Sequence, residues 1–249
     1  EAYRSSLSDG QLEEMVRKTK ALEAYQEAEE KPEDLKCIPM LKRSDIRKEV
    51  NGFSNEELQV DNSLFLYQDV CTNGIGYVNI MFEIKDMAVE KVHYLGLLKS
   101  VLGYVDTENY TYGQLFNETN ARTGGIQCGV DVFDKADDPE AFRTMFTIRG
   151  KALYPQMDFL VQMMEEILNT SKITDTKRLY EIIAEIKSRG QASLIGSGHQ
   201  TAVLRGASYS SPMARFQDEM AGVGYYKFIE ELEKNFQDKK DEIVAGLQN

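Results

Sequence analysis

The sequence predicts an α+β fold, with a mainly antiparallel sheet, helices packed on one face, and an amphipathic helical linker in front. Three observations lead there. The patterned segments run in the order strand, strand, helix, helix, strand, strand, then helices. The strand segments come as neighbouring pairs, whereas parallel strands would need a crossover between the members of each pair. The N-terminal segment carries apolar residues at helical spacing with Glu and Lys on its other faces.

Ser8 followed by Gln11 has capping-box spacing, in which each side chain satisfies an orphan backbone donor at a helix start. Leu12, Met15, Val16, Leu22 and Tyr25 then mark one stripe of an outer helix reaching about residue 30. From Lys31 to Phe53 come Pro32, Pro39, the charged run Lys42 to Glu49 and Asn51-Gly52, without a sustained period, which reads as a connector. Residues 1–53 are therefore expected to be a helical hairpin linker segment with its connector, and residues 54–249 one α+β domain.

Within that domain, a run from Ser63 to Val70 precedes Ile75 to Ile84, where Val78, Ile80, Phe82 and Ile84 alternate with mostly polar neighbours. Asn73-Gly74 between the runs predicts a hairpin. Tyr94, Leu97, Leu98, Val101, Leu102 and Val105 form one stripe of a buried helix, and a second helix covers Tyr112 to Arg122 before Gly124-Gly125. Ile126, Cys128, Val130 and Val132 alternate, as do Phe142, Thr144, Phe146 and Ile148 after a turn at Asp137 to Pro139, giving two further strands. Pro155 opens a helix through Leu168. Leu179, Ile182, Ile183 and Ile186 mark the next, Gly196 to Gly198 interrupts, and helical pattern resumes through Phe236.

Composition bounds the function classes. With 249 residues, 42% of them hydrophobic, the chain can bury a sizeable core. A formal net charge of -12 repels phosphate backbones and anionic membranes, so nucleic acid and membrane surfaces are not expected partners. No run reaches the roughly 20 apolar residues that span a bilayer, and a soluble chain is expected. Cys37, Cys71 and Cys128 are odd in number and far apart, which fits a reducing compartment, and the sequons at Asn109, Asn117 and Asn169 are read as chance tripeptides. The start at Glu1, running almost at once into helix, is read as a boundary within a longer chain.

Candidate chemistry is sparse. With only two histidines, a His-based site must use His93 or His199. His93, with Glu90 three residues before it, is either a ligand pair on one face or a solvated helix start. His199 follows Gly196-Ser197-Gly198, but Ser197 lacks a nucleophile-elbow sequence and an orienting acid, so a helix N-terminus is the reading. Gly124, Gly125 and Gly129 lead into a strand, with no lysine in phosphate-loop register, and read as turn glycines. Met157, Met163 and Met164 read as core filling. Asp137-Asp138 and Glu165-Glu166 read as solvated acids, because adjacent residues point apart.

The stretch Tyr67 to Leu102, YQDVCTNGIGYVNIMFEIKDMAVEKVHYLGLLKSVL, resembles the pitrilysin/insulinase family of zinc metallopeptidases, most closely its presequence protease subfamily. Thr72-Asn73-Gly74-Ile75 is its most telling piece. Thr111-Tyr112 with Thr123-Gly124-Gly125-Ile126, and Arg205-Gly206-Ala207-Ser208 with Gly222-Val223-Gly224-Tyr225-Tyr226, extend it over most of residues 35–236. In such enzymes two halves, each of two α+β domains, are joined by a helical hairpin and close over a peptide. The resemblance implies that this chain is part of that hairpin plus the non-catalytic third domain, the peptidase-associated region.

The family's H-x-x-E-H signature, two zinc ligands and a base on one helix face, belongs to the first domain. Matched through Ser100-Val101-Leu102, the equivalent helix here puts Leu95, Leu98 and Lys99 at those positions, and none can hold or activate zinc-bound water. No catalytic, cofactor-binding or metal-binding residue is therefore assigned, and the chain alone is expected to be inactive. Zinc is expected in the catalytic domain of the parent protein. The implied partners are the parent's N-terminal catalytic half and C-terminal fourth domain, together with unstructured peptide substrates. Implied too is a cytoplasmic location, or the mitochondrial matrix in a eukaryote. The acidic balance suggests steering of cationic peptides. Two other readings stand beside this one: part of an inactive homologue serving as scaffold or core subunit, and a free-standing peptide-binding module.

Overall fold

A computed structural model of the chain describes residues 7–46, 48–49, 52, 54–85, 87–88, 91–135 and 138–248. Glu1, Asn51, Phe53, Glu90 and Asp137, which enter the sequence reading, lie outside the described residues. The chain divides into two compact units, residues 1–69 and 70–249.

In the first unit, helix α1 (Asp9–Glu27) starts at the expected capping box: the Ser8 amide donates to Gln11 Oε1 at 2.9 Å and the Gln11 amide donates to Ser8 Oγ at 3.4 Å. The apolar stripe of Met15, Val16, Leu22 and Tyr25 is exposed. The connector holds one helical turn, α2 (Pro32–Leu35), with proline where its missing N–H costs nothing. A 3-10 turn follows at Arg43–Asp45, where the Asp45 carboxylate accepts from the Lys42 amide at 2.8 Å. Strands β1 (Glu56–Val60) and β2 (Ser63–Tyr67) then form an antiparallel ribbon with Val60 opposite Ser63. Asp61, at φ 50, makes the tight turn between them.

That pairing corrects the expected hairpin. The run beginning at Ser63 pairs backwards with β1, and β3 (Ile75–Ile84) pairs with β5 (Asp138–Leu153). The Asn73-Gly74 turn does form: both residues have positive φ (53° and 84°), and the Ile75 amide closes it onto the Thr72 carbonyl at 3.2 Å. Instead of joining paired strands, the turn docks on the end of β5, where Gly74 O accepts from the Tyr154 amide at 3.0 Å and Thr72 Oγ1 meets the Tyr154 hydroxyl at 3.1 Å.

The second unit contains a three-stranded antiparallel sheet, ordered β3-β5-β4, with β4 spanning Ile126–Lys135. Ile75 faces Leu153 and Ile126 faces Gly150, so β5 is the central strand. Val78, Ile80, Cys128, Val130, Phe146 and Ile148 share one face, as their alternation predicts. Phe82 keeps the phase but stands 46% exposed, near the end of β3 where Glu83 pairs with Lys85 and Arg143 at the surface.

The helices are α3 (Val92–Val101), α4 (Tyr112–Arg122), α5 (Met157–Thr170), α6 (Thr176–Gly196), α7 (Gly198–Ala207), α8 (Pro212–Ala221), α9 (Val223–Lys234) and α10 (Phe236–Gln248). Where the pattern predicts the helices to end, at Phe236, a further helix begins, and its Ile243 and Leu247 are buried. This is an α+β fold of antiparallel sheets and helices, as predicted.

Two apolar cores meet at α3. The first lies between the sheet and α5, with Phe146, Ile148, Leu160, Met163 and Met164; Leu95 and Leu102 enter it. The second gathers Leu179, Ile183, Ile229, Phe236 and Ile243, and Leu97, Val101 and Val105 enter that one, while Leu98 touches both. The predicted stripe is thus buried on two sides, but the helix ends at Val101, and Leu102 and Val105 lie in the turn after it. Met157, Met163 and Met164 fill core, as expected.

Candidate functional site

On α3, Leu95 lies in the sheet-side core and Leu98 between the two cores, so neither side chain is free to meet a ligand. Lys99, the third position of interest, is half-buried, and that burial lowers its proton affinity. These residues do not fit zinc. Among the described residues, no group of three His, Cys, Asp or Glu side chains gathers where a metal ion could be held.

His93 is not a solvated helix start, and Glu90, its candidate co-ligand, lies outside the described residues. Its Nε2 lies 2.7 Å from Glu219 Oε2 on α8, and its ring stacks on Phe228 of α9 with centroids 4.7 Å apart. The residue ties α3 to two helices far along the chain. His199 is exposed in the first turn of α7, and Ser197 precedes that helix, lending its carbonyl to the amides of Gln200 and Thr201. That is the expected helix N-terminus.

The C-terminal motifs converge on a buried carboxylate. Asp218 is fully buried and accepts from Arg205 Nη1 at 2.6 Å, from the Val223 amide at 3.0 Å and from the Gly224 amide at 3.2 Å. It therefore pairs with α7 while capping the start of α9. A side chain at Gly222 would put its Cβ 2.5 Å from Asp218 Oδ1, and one at Gly224 would collide with Glu219. Sequence reasoning reaches these segments only by resemblance, because Asp218 carries no local signal.

Glu166 departs from the solvated reading. Its carboxylate accepts from the Asn109 amide at 3.0 Å and from Asn109 Nδ2 at 2.9 Å. Hydrogen bonds from Thr107 foremost, then from Asn109 and Thr170, hold its pKa down to about 2 from an ordinary 4.5. A carboxyl with a depressed folded pKa adds stability above its unfolded pKa and loses it as pH falls through the folded one. Glu166→Gln should therefore cost about 1 kcal/mol near neutrality, a figure discounted for solvent screening. The deficit against the wild type should vanish between pH 4.5 and about 2, as urea unfolding across that range would show. A deficit unchanged at low pH would mean that the charge plays no part.

Burial pushes the Cys128 thiol up to about 12, which removes it as a nucleophile, while Cys37 and Cys71 are exposed. A cleft of about 360 Å³ on the helical side is bordered by α3, α6, α7, α8 and α9. Lys99, Arg189, Ser193, Thr201, Tyr225 and Tyr226 are among its lining residues. Tyr225 donates to Gly96 O at 3.0 Å, and burial raises its pKa.

Comparison with known proteins gives a consistent result. The family model described as "Peptidase M-16C associated" matches residues 1–232. Protein HypA of Clostridium perfringens is 34% identical over 247 residues, covering 99% of this chain and 25% of that protein. Presequence protease 1, chloroplastic/mitochondrial, of Arabidopsis thaliana is 26% identical over 248 residues, covering 100% of this chain and 23% of that protein. The mitochondrial presequence protease of Yarrowia lipolytica is 28% identical over 245 residues, with 98% and 24% covered. The chain thus spans about a quarter of the length of the curated relatives it matches.

Proposed function

We propose, because the chain belongs to this family of peptidase-associated regions, that it is the non-catalytic segment of a larger presequence-protease-like zinc metalloendopeptidase that degrades unstructured peptides. Residues 1–53 are linker and connector in this reading, and residues 54–249 are the third domain, with the β1–β2 ribbon as its first element. The segment forms chamber wall and hinge between two halves, and its partners are the N-terminal catalytic half and the C-terminal fourth domain of the same chain. Zinc belongs to that catalytic half. The compartment is the cytoplasm, or the mitochondrial matrix in a eukaryote, in keeping with the locations printed in the names of the plant and yeast relatives. No helix among the described residues is long and apolar enough to cross a membrane.

The observation that carries the reading is that nearly the whole chain matches only a quarter of each relative. Leu95, Leu98 and Lys99 add to it, since they replace metal-binding chemistry with packing on a helix buried from two sides. The wall and hinge role draws support from exposed apolar side chains in the first unit, including Val16, Tyr25, Leu64 and Phe65, which a larger assembly would cover.

The test sets peptide hydrolysis and zinc content after dialysis of this chain beside those of the full-length parent. The chain should show neither hydrolysis nor stoichiometric zinc, and the parent should show both. Chelator-sensitive cleavage by the chain alone would overturn the reading and return attention to His93 and His199.

A further inference from the structure

The cleft beside α3 has a chemistry that its role in packing does not explain. In a chain with 41 acidic and 29 basic residues, no carboxylate lines it, yet Lys99 and Arg189 both do. Lys99 makes no ion pair and no hydrogen bond among the described residues, and burial alone accounts for its weakened hold on the proton. An ammonium withdrawn from water without a counter-charge is costly, and native structures usually pair it. Arg189 Nε lies 3.6 Å from Glu185, too long for a hydrogen bond, and its side chain is 66% exposed and can turn to a ligand.

Most hydroxyls around the cleft are already committed. Ser100 donates to Gly96 O at 3.2 Å, Thr201 to Ser197 O at 3.4 Å and Tyr225 to Gly96 O at 3.0 Å. Ser193, exposed on α6, and Tyr226, half-buried on α9, also line the cleft. The remaining wall is apolar, with Ile186, Leu194 and Ile229. At about 360 Å³ the space falls in the size range of small-ligand sites.

We propose that this cleft binds one carboxylate on a short apolar peptide, held by Lys99 and Arg189 with donors from Ser193 and Tyr226, the apolar side chain lying against Ile186, Leu194 and Ile229. A single carboxylate suits two cationic groups beside an apolar wall. A phosphate or polyanion would forgo that wall and meet repulsion from a chain of net charge -12. The proposal stands independently of the peptidase assignment, since it concerns binding by these residues alone.

Acetyl-Ala-Leu as the free acid, its C-terminal amide, acetyl-Glu-amide and inorganic phosphate would be titrated into the chain by calorimetry. The free acid should bind about tenfold or more tightly than the amide, and Lys99→Met should abolish that preference. Preference for acetyl-Glu-amide over the neutral amide would identify a side-chain carboxylate as an equal source of the group; its absence would identify the chain terminus. Lys99→Met should also unfold at the same or a higher temperature than the wild type, because a half-buried charge without a partner is removed. Equal affinity for acid and amide, no binding of the acid, phosphate binding better than the acid, or a lowered unfolding temperature for Lys99→Met would each overturn the proposal. The last would mean that Lys99 has a partner within the fold.

Discussion

Asp218→Ala is expected to remove about 3–5 kcal/mol of folding stability, because it takes the acceptor from a charge-assisted hydrogen bond and from a helix start at once. The carboxylate is 0% exposed and receives three hydrogen bonds, one from Arg205 and two from the first amides of α9. Those amides lie at the positive end of the helix dipole, where an anion is favoured. Arg205 is differently placed, since its side chain is 36% exposed and can turn to water if its partner is lost. Arg205→Ala leaves Asp218 capping α9 but strands its buried carboxylate without a counter-charge, and should cost about as much. Urea unfolding of both single variants and of the double variant gives the comparison. A much smaller cost for Arg205→Ala than for Asp218→Ala would show that the cap, and not the ion pair, dominates the knot.

The same contrast between local and distant partners explains what is legible in the sequence. The Ser8–Gln11 box, the Tyr112–Arg122 helix and the alternation in β3, β4 and β5 are set by residues within a few positions of each other, and the structure reproduces them. The Asn73-Gly74 turn is also correct as a turn; only its pairing partner differs, because Ile75 faces Leu153, on a strand far along the chain. β1 is illegible because it begins with Glu56-Glu57 and has no buried residue to impose a pattern. The last helix is obscured because the charges from Asp238 to Glu242 separate Phe236 from the buried Ile243 and Leu247.

Site residues are the least legible. His93 meets Glu219 across 126 positions, and nothing near either residue announces the other. The helical-side cleft likewise draws on helices separated by long stretches of chain. What can be read is that Leu95 and Leu98 cannot ligate zinc, since a leucine is excluded as a zinc ligand by its own structure, whatever surrounds it.

Gly96→Ala tests the close approach of α3 to α8 and α9, and two effects compete in it. Alanine favours helix over glycine by about 1 kcal/mol, which alone would stabilise the variant. Against that, the new Cβ would sit 2.5 Å from the Met220 carbonyl oxygen and 2.8 Å from the Tyr225 ring. The first of these atoms is backbone, so no side-chain rotation relieves the contact, and the helices must separate. Separation also stretches the hydrogen bond that the Tyr225 hydroxyl donates to the Gly96 carbonyl. Overpacking of this kind costs about 1–3 kcal/mol, and the lost hydrogen bond adds about 1 more, so net destabilisation of roughly 2 kcal/mol is expected. Gly113→Ala in α4 is the matched control, because nothing lies within 4 Å of its added Cβ. That variant should be neutral or more stable by up to about 1 kcal/mol. Thermal and urea unfolding of the two variants side by side would separate propensity from contact: a Gly96→Ala chain as stable as Gly113→Ala would mean that α3 does not approach its neighbours as closely as described.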